Sequence, residues 1–185
     1  MKDYLLKKAY EFYPIQLNGL DETYMLKDEI VKLKTKLESS LNAEYSEWQV
    51  MLKDFHENNP SLSVLDKTNF MLSQPSFVFQ IILDKIEGSI LVFNCYCSLV
   101  IPYYYFTVSL NNISDNAYSI LDINEISILP IEVQQLLQYI ENQFERKLFP
   151  QEFLNEIIPN ISFEAIEFDR FTYQQAFFNS RHIVI

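Results

Sequence analysis

Residues 76–110 read SFVFQIILDKIEGSILVFNCYCSLVIPYYYFTVSL, and the fold turns on this stretch. Phenylalanine, valine, isoleucine and tyrosine dominate it, and these side chains suit a pleated, half-buried surface. Phe77, Phe79, Ile81 and Leu83 recur at every second position, so they share one face of a strand running from Ser76 to Glu87. Glu87-Gly88 reads as a hairpin turn. Ser89 to Leu99 is the return strand. Ile101 to Leu110, with Tyr103, Tyr104, Tyr105 and Phe106, is a third strand. Pro102 has no N–H to give a ladder, so it belongs at the start of that strand or on an edge. Asn111 to Asn116 reads as a polar loop, and Tyr118 to Ile123 as a fourth strand. The connections are too short for crossover helices, which predicts an antiparallel meander.

Working outward, the N-terminal side is helical. The pattern predicts a short helix over 2–12, ended by Tyr13-Pro14 because the residue before proline disfavours the α region. Asp21 or Thr23 is expected to cap the next helix. Leu26, Ile30, Leu33, Leu37 and Leu41 form its apolar stripe, with Lys27, Lys32, Lys34 and Lys36 in solvent. Asn42 is expected to cap a separate helix that buries Tyr45, Trp48, Leu52 and Phe55 and stops at Asn58-Asn59-Pro60. Beyond the strands, a long helix begins near Pro130 and buries Val133, Leu136, Leu137, Ile140 and Phe144. Pro150 and Pro159 bracket a short helix carrying Phe153, Leu154 and Ile157. Ile161 to Phe168 and Thr172 to Phe178 read as two last strands around Asp169-Arg170. The expected architecture is one α+β domain over 1–185. It has a helical part (1–60), antiparallel strands (76–123), helices (130–158) and C-terminal strands (161–178), with the helices packed on the sheet.

The chain of 185 residues is 49% hydrophobic, with 15 Phe and 12 Tyr, enough for a sizeable core. Its 14 Lys and Arg stand against 25 Asp and Glu, a net charge of -11. Nucleic-acid and anionic-membrane binding depend on basic side chains, so this balance argues against both and favours a neutral or basic partner. Cys95 and Cys97 read as small buried hydrophobes, expected on opposite faces of a strand and therefore unbridged. Met1-Lys2-Asp3-Tyr4 is not followed by an apolar signal segment. Ser89 to Leu110 is interrupted by Asn94, Ser98, Pro102 and Ser109 and is too polar for a membrane span. A cytoplasmic location is the expectation.

No phosphate-binding glycine loop, HExxH, CxxC or GxSxG pattern occurs. No catalytic residue, cofactor or metal ligand is therefore assigned. His56-Glu57 near a helix end reads as a solvated terminus, and His182 as part of a terminal strand or tail. Glu141 and Glu145 read as an exposed helix face.

The charge pattern is more specific. Between Lys85 and Arg146 there is no Lys or Arg, yet the stretch holds Glu87, Asp115, Asp122, Glu125, Glu132, Glu141 and Glu145. Tyrosines cluster in the same stretch, and aromatics supply large contact area at low entropic cost. The expected partner-binding residues are Tyr103, Tyr105, Asp115, Tyr118, Asp122, Glu125, Glu132, Glu141 and Glu145.

A family resemblance attaches to other positions. Tyr13-Pro14 is followed by Asp21-Glu22-Thr23-Tyr24, a Lys/Glu-rich helix and the Trp48 helix. Ile158-Pro159-Asn160-Ile161 and Ala176-Phe177-Phe178 come near the end. This layout resembles small acidic immunity-type proteins of polymorphic toxin systems in Bacteroidota-like bacteria. The resemblance implies a cytoplasmic inhibitor that neutralises a cognate toxin without catalysis. An acidic secretion chaperone or adaptor, and an enzyme of unrecognised type, are the alternatives.

Overall fold

A computed structural model describes residues 1–69, 71–86, 88–112, 117–121, 123 and 125–179. The first helix, α1, spans Lys2–Phe12. Pro14 follows it directly, as the proline signal requires. The second helix, α2, spans Asp28–Asn58 without a break. The expected division at Asn42 is therefore wrong. The residues around Asn42 include neither glycine nor proline, and one interior asparagine costs a helix only a few tenths of a kcal/mol. The expected cap at Asp21 or Thr23 is also wrong. The Asp21 carboxylate instead accepts from Thr23 N at 2.8 Å and Thr23 Oγ1 at 2.7 Å. That turn leads into a short 3-10 turn at Tyr24–Leu26 before α2 begins.

The sheet is the predicted meander with one further strand at its first edge. Its strands are β1 (Ser63–Asp66), β2 (Ser76–Ile86), β3 (Ser89–Ser98), β4 (Tyr103–Asn112) and β5 (Tyr118–Leu121). They lie side by side in chain order, all antiparallel. β1 was not expected, because four residues are too few to show a period. Gly88, at φ 73°, occupies the β2–β3 turn, a left-handed conformation that suits glycine. The long helix α3 spans Ile131–Gln143. After it, β6 (Lys147–Leu148) pairs in parallel with the start of β4. Two short helices follow, α4 (Gln151–Leu154) and α5 (Tyr173–Phe177).

The two C-terminal strands expected over 161–178 do not form. Residues 157–172 make only isolated bridges, Ile15 with Ile161, Ile157 with Thr172 and Phe163 with Ile166. Glu164 (φ 50°) and Asp169 (φ 60°) turn the backbone where a strand would need it extended. Thr172 and Gln175 form a reciprocal capping box that starts α5.

The sheet is covered on both faces. The first core lies on the face carrying Val78, Tyr96 and Tyr105, under α1, the start of α2 and the C-terminal segment. The second lies on the face carrying Phe77, Phe79, Phe93, Tyr104 and Phe106, under the end of α2 and under α3. Helix α2 serves both: Ile30 and Leu33 enter the first core, Trp48, Met51, Leu52 and Phe55 the second, and Leu37 touches each. Cys95 and Cys97 both join the second core as free thiols. The expectation of opposite faces is corrected by the strand period, since residues two apart share a face.

In the first core, the N- and C-terminal parts of the chain are fastened together. Tyr13 Oη donates to Ala176 O and Tyr24 Oη to Ser162 O, each at 2.7 Å. Gly19 N donates to Ser162 Oγ at 2.9 Å. A Cβ on Gly19 would lie 2.4 Å from Glu164 N, so only glycine permits this approach. The second core centres on Trp48, whose ring meets Phe77 at 5.1 Å, Phe79 at 5.6 Å and Phe144 at 5.8 Å.

Candidate interaction surface

Helix α3 lies in the base-free stretch and carries Glu132 and Glu141. Val133, Leu136, Leu137 and Ile140 are its buried residues, spaced by three and four so that one stripe meets the second core. The same period puts Ile131, Gln135, Gln138 and Asn142 on the outward line. All four are exposed. Glu132 and Tyr139 flank that line on one side and Glu141 on the other. The helix therefore presents an amide and apolar ridge bordered by carboxylates.

The turn before α3 is tied to it. Gln134 Nε2 donates to Leu129 O at 2.7 Å and to Ser127 O at 3.3 Å. Ser127 Oγ lies 3.4 Å from Glu125 Oε2. Exposed Ile128 and Ile131 thus sit beside Glu125 and Glu132, at 61% and 58% exposure.

The carboxyl end of α3 is organised by Arg146. Its Nη1 donates to Phe144 O at 2.9 Å and its Nη2 pairs with Glu44 Oε2 at 2.8 Å. One guanidinium thereby satisfies a terminal carbonyl of α3 and joins it to α2. Its charge is committed to Glu44. Glu141 Oε1 accepts from Tyr104 Oη at 2.7 Å. Burial and this neighbouring carboxylate hold the Tyr104 hydroxyl well above the usual tyrosine pKa. Glu145 is exposed and stands in the left-handed region at φ 51°, just past the helix end.

The residues expected to form one partner surface are divided by the sheet. Glu125, Glu132, Glu141 and Glu145 gather on and around α3. Tyr105 does not belong to a surface: it is 2% exposed and stacks on Tyr96 at 4.5 Å. Gln174 Nε2 donates to its hydroxyl at 3.0 Å. Alternation sends the run Tyr103–Tyr105 to both faces, so two of its members are core residues. Tyr103 is partly buried, edge-on to Phe149 at 5.6 Å, with its hydroxyl 3.4 Å from Met1 Sδ. Tyr118 is exposed but pairs with Asn111, which puts it on the first-core face with Tyr105 and away from α3. Asp115 and Asp122 lie outside the described residues, as do Glu87 and His182. Ile128, Ile131 and Tyr139 were missed. Their signal was available as apolar residues off the buried stripe of α3.

A polar row inside the sheet was also missed. Gln80 Nε2 donates to Asn94 Oδ1 at 2.8 Å, and Asn94 Nδ2 lies 3.4 Å from both Thr107 Oγ1 and Ser109 Oγ. These cross-strand partners satisfy one another, as buried amides require.

Among the described residues, no group of three or more His, Cys, Asp or Glu side chains could hold a metal ion. Burial pushes the Cys95 thiol well above its usual pKa, which disfavours the reactive thiolate. No helix among the described residues is long and apolar enough to cross a membrane. No protein-family model, curated protein sequence or solved structure matches the chain.

Proposed function

We propose that the chain is an immunity-type inhibitor that binds a basic site on a cognate bacterial toxin through α3 and the turn preceding it. The observation that carries this reading is the acidic border of α3, with Glu141 and Glu145 exposed and Glu132 half-buried, set in a stretch with no Lys or Arg from Ile86 to Glu145. Concentrated negative charge speeds the approach of a basic partner and rejects acidic ones. Tyr139, Ile128 and Ile131 then supply contact area that excludes water from the charge pairs. The resemblance to immunity-type proteins points to the same class of partner. Inhibition needs no chemistry here: covering the toxin's basic site suffices.

The test is co-expression with a toxin domain encoded beside the gene. The wild-type chain is expected to restore growth and to form a complex that weakens with salt. Glu132→Lys combined with Glu145→Lys is expected to abolish rescue while leaving the fold intact. Absence of both rescue and complex with the wild-type chain would overturn the proposal.

A further inference from the structure

A second binding feature lies on the far edge of the sheet, where β1 runs beside the last turns of α2. Lys67 N donates to Val78 O at 2.8 Å, which fixes the hydrogen-bond phase of β1 on β2. Antiparallel pairs alternate, so Leu65 and Ser63 face β2 with their backbone groups while Val64 and Asp66 turn theirs outward. No described residue takes up those outward groups. An unpaired edge of this kind is a template for an added strand.

The edge opens onto a groove of about 260 Å³, lined by Gln49, Leu52, Lys53 and His56 of α2 and by Val64 and Asp66 of β1. Leu52 and Val64 make its floor apolar. The charges in it are unequally available. The Asp66 carboxylate is already occupied, accepting from Tyr45 Oη at 3.0 Å and from Thr68 N at 2.9 Å. Lys53 has only a long, exposed contact with Glu57 at 3.7 Å, the kind of surface pair that holds a side chain weakly. His56 Nδ1 lies 3.3 Å from Leu62 O, which leaves Nε2 without a partner among the described residues. The groove therefore has a free backbone edge on one wall and, on the other, an imidazole and a lysine held only by its long, exposed contact with Glu57.

From this geometry we infer that the groove between β1 and α2 binds an extended peptide segment of a partner protein. The segment adds as a strand to Val64–Asp66 and has a carboxylate held by Lys53, with His56 donating from Nε2 when its ring carries both protons. Backbone pairing supplies affinity, alternate side chains of the guest rest on Leu52 and Val64, and the carboxylate fixes its register. The site is separate from the α3 surface and does not depend on the toxin reading. The carboxylate is that of an acidic side chain, because strand pairing along Val64–Asp66 needs no chain end.

The experiment pans a library of short random peptides, displayed with free C-termini, on the full chain. It is repeated on the Lys53→Glu and Val64→Pro chains. Lys53 is exposed, so its reversal leaves the fold alone. Val64→Pro removes an outward N–H together with one apolar side chain of the floor, and spares the β1–β2 ladder. Enriched sequences should bind the wild-type chain and lose about tenfold or more on Lys53→Glu. Their amide shifts should concentrate at Gln49, Lys53, His56 and residues 63–66. Resynthesis with an amidated C-terminus should leave binding intact, and binding lost on amidation would overturn the side-chain assignment. No enrichment, equal binding to Lys53→Glu, or shifts centred elsewhere would each overturn the inference.

Discussion

The Tyr104 hydroxyl donates to Glu141 Oε1 across 2.7 Å, joining a ring from the middle of the sheet to the last turn of α3. A carboxylate at the negative end of a helix dipole is disfavoured by itself. The buried phenol offsets that cost and fixes one acid of the proposed binding surface. Tyr104→Phe is expected to lower stability by about 1 kcal/mol, the usual worth of one such bond at a partly exposed site. Urea unfolding checks this, and an unchanged midpoint would show that the bond contributes nothing.

Tyrosine burial sets the alkaline limit of the fold. Burial raises the pKa of Tyr13, Tyr24, Tyr104 and Tyr105 above the ordinary 10.0 and pushes Tyr96 up to about 12. A raised folded-state pKa gives stability that is complete below the unfolded value and is lost as pH rises through the folded one. Stability should therefore be flat below pH 10 on account of these groups and fall steeply above it. Ultraviolet titration of phenolate against circular dichroism tests the coupling: most tyrosines should ionise only as the fold is lost.

Gly19 should be the least replaceable small residue. A Cβ there meets the backbone of Phe163 and Glu164, whereas Gly88 faces open space and needs glycine only for its φ of 73°. Gly19→Ala is expected to cost about 2 kcal/mol by forcing the N- and C-terminal segments apart. Gly88→Ala is expected to cost about 1 kcal/mol. Thermal unfolding of the two variants should rank them in that order.

Glu145 offers a separation of stability from binding. It holds a left-handed conformation at a helix end, where glycine is favoured and a negative charge is not. Glu145→Gly is expected to raise stability by about 1 kcal/mol while weakening association with a basic partner. Denaturation and salt-dependent association rates measure the two effects. A stabilised variant with unaltered association would remove Glu145 from the proposed surface.

How far the sequence could be read depended on the range of the forces involved. The meander was legible because Phe77, Phe79, Ile81 and Leu83 alternate strictly and Gly88 marks the turn. The core stripe of α3 was legible because Val133, Leu136, Leu137, Ile140 and Phe144 keep the helical period. The C-terminal segment misled because Ile161, Phe163 and Ile166 imitate a strand. Their apolar side chains actually plug the first core from loops that turn at Glu164 and Asp169. The tyrosine run misled because adjacent strand residues face opposite ways, and whether either face is buried depends on what packs there.

Local period, turn chemistry and charge count thus belong to the sequence alone: an antiparallel sheet with helices, no recognisable catalytic motif, and acids without bases from Ile86 to Glu145. Those properties depend on neighbouring residues along the chain. The tertiary structure decided which residues are available to a partner. Packing α3 on the second core turned Ile131, Glu132 and Tyr139 outward, while the C-terminal segment enclosed Tyr105. Laying α2 along β1 placed Lys53 and His56 beside an open strand edge. Such placement follows from burying apolar surface between segments far apart in the chain, and no local pattern encodes which faces remain in water.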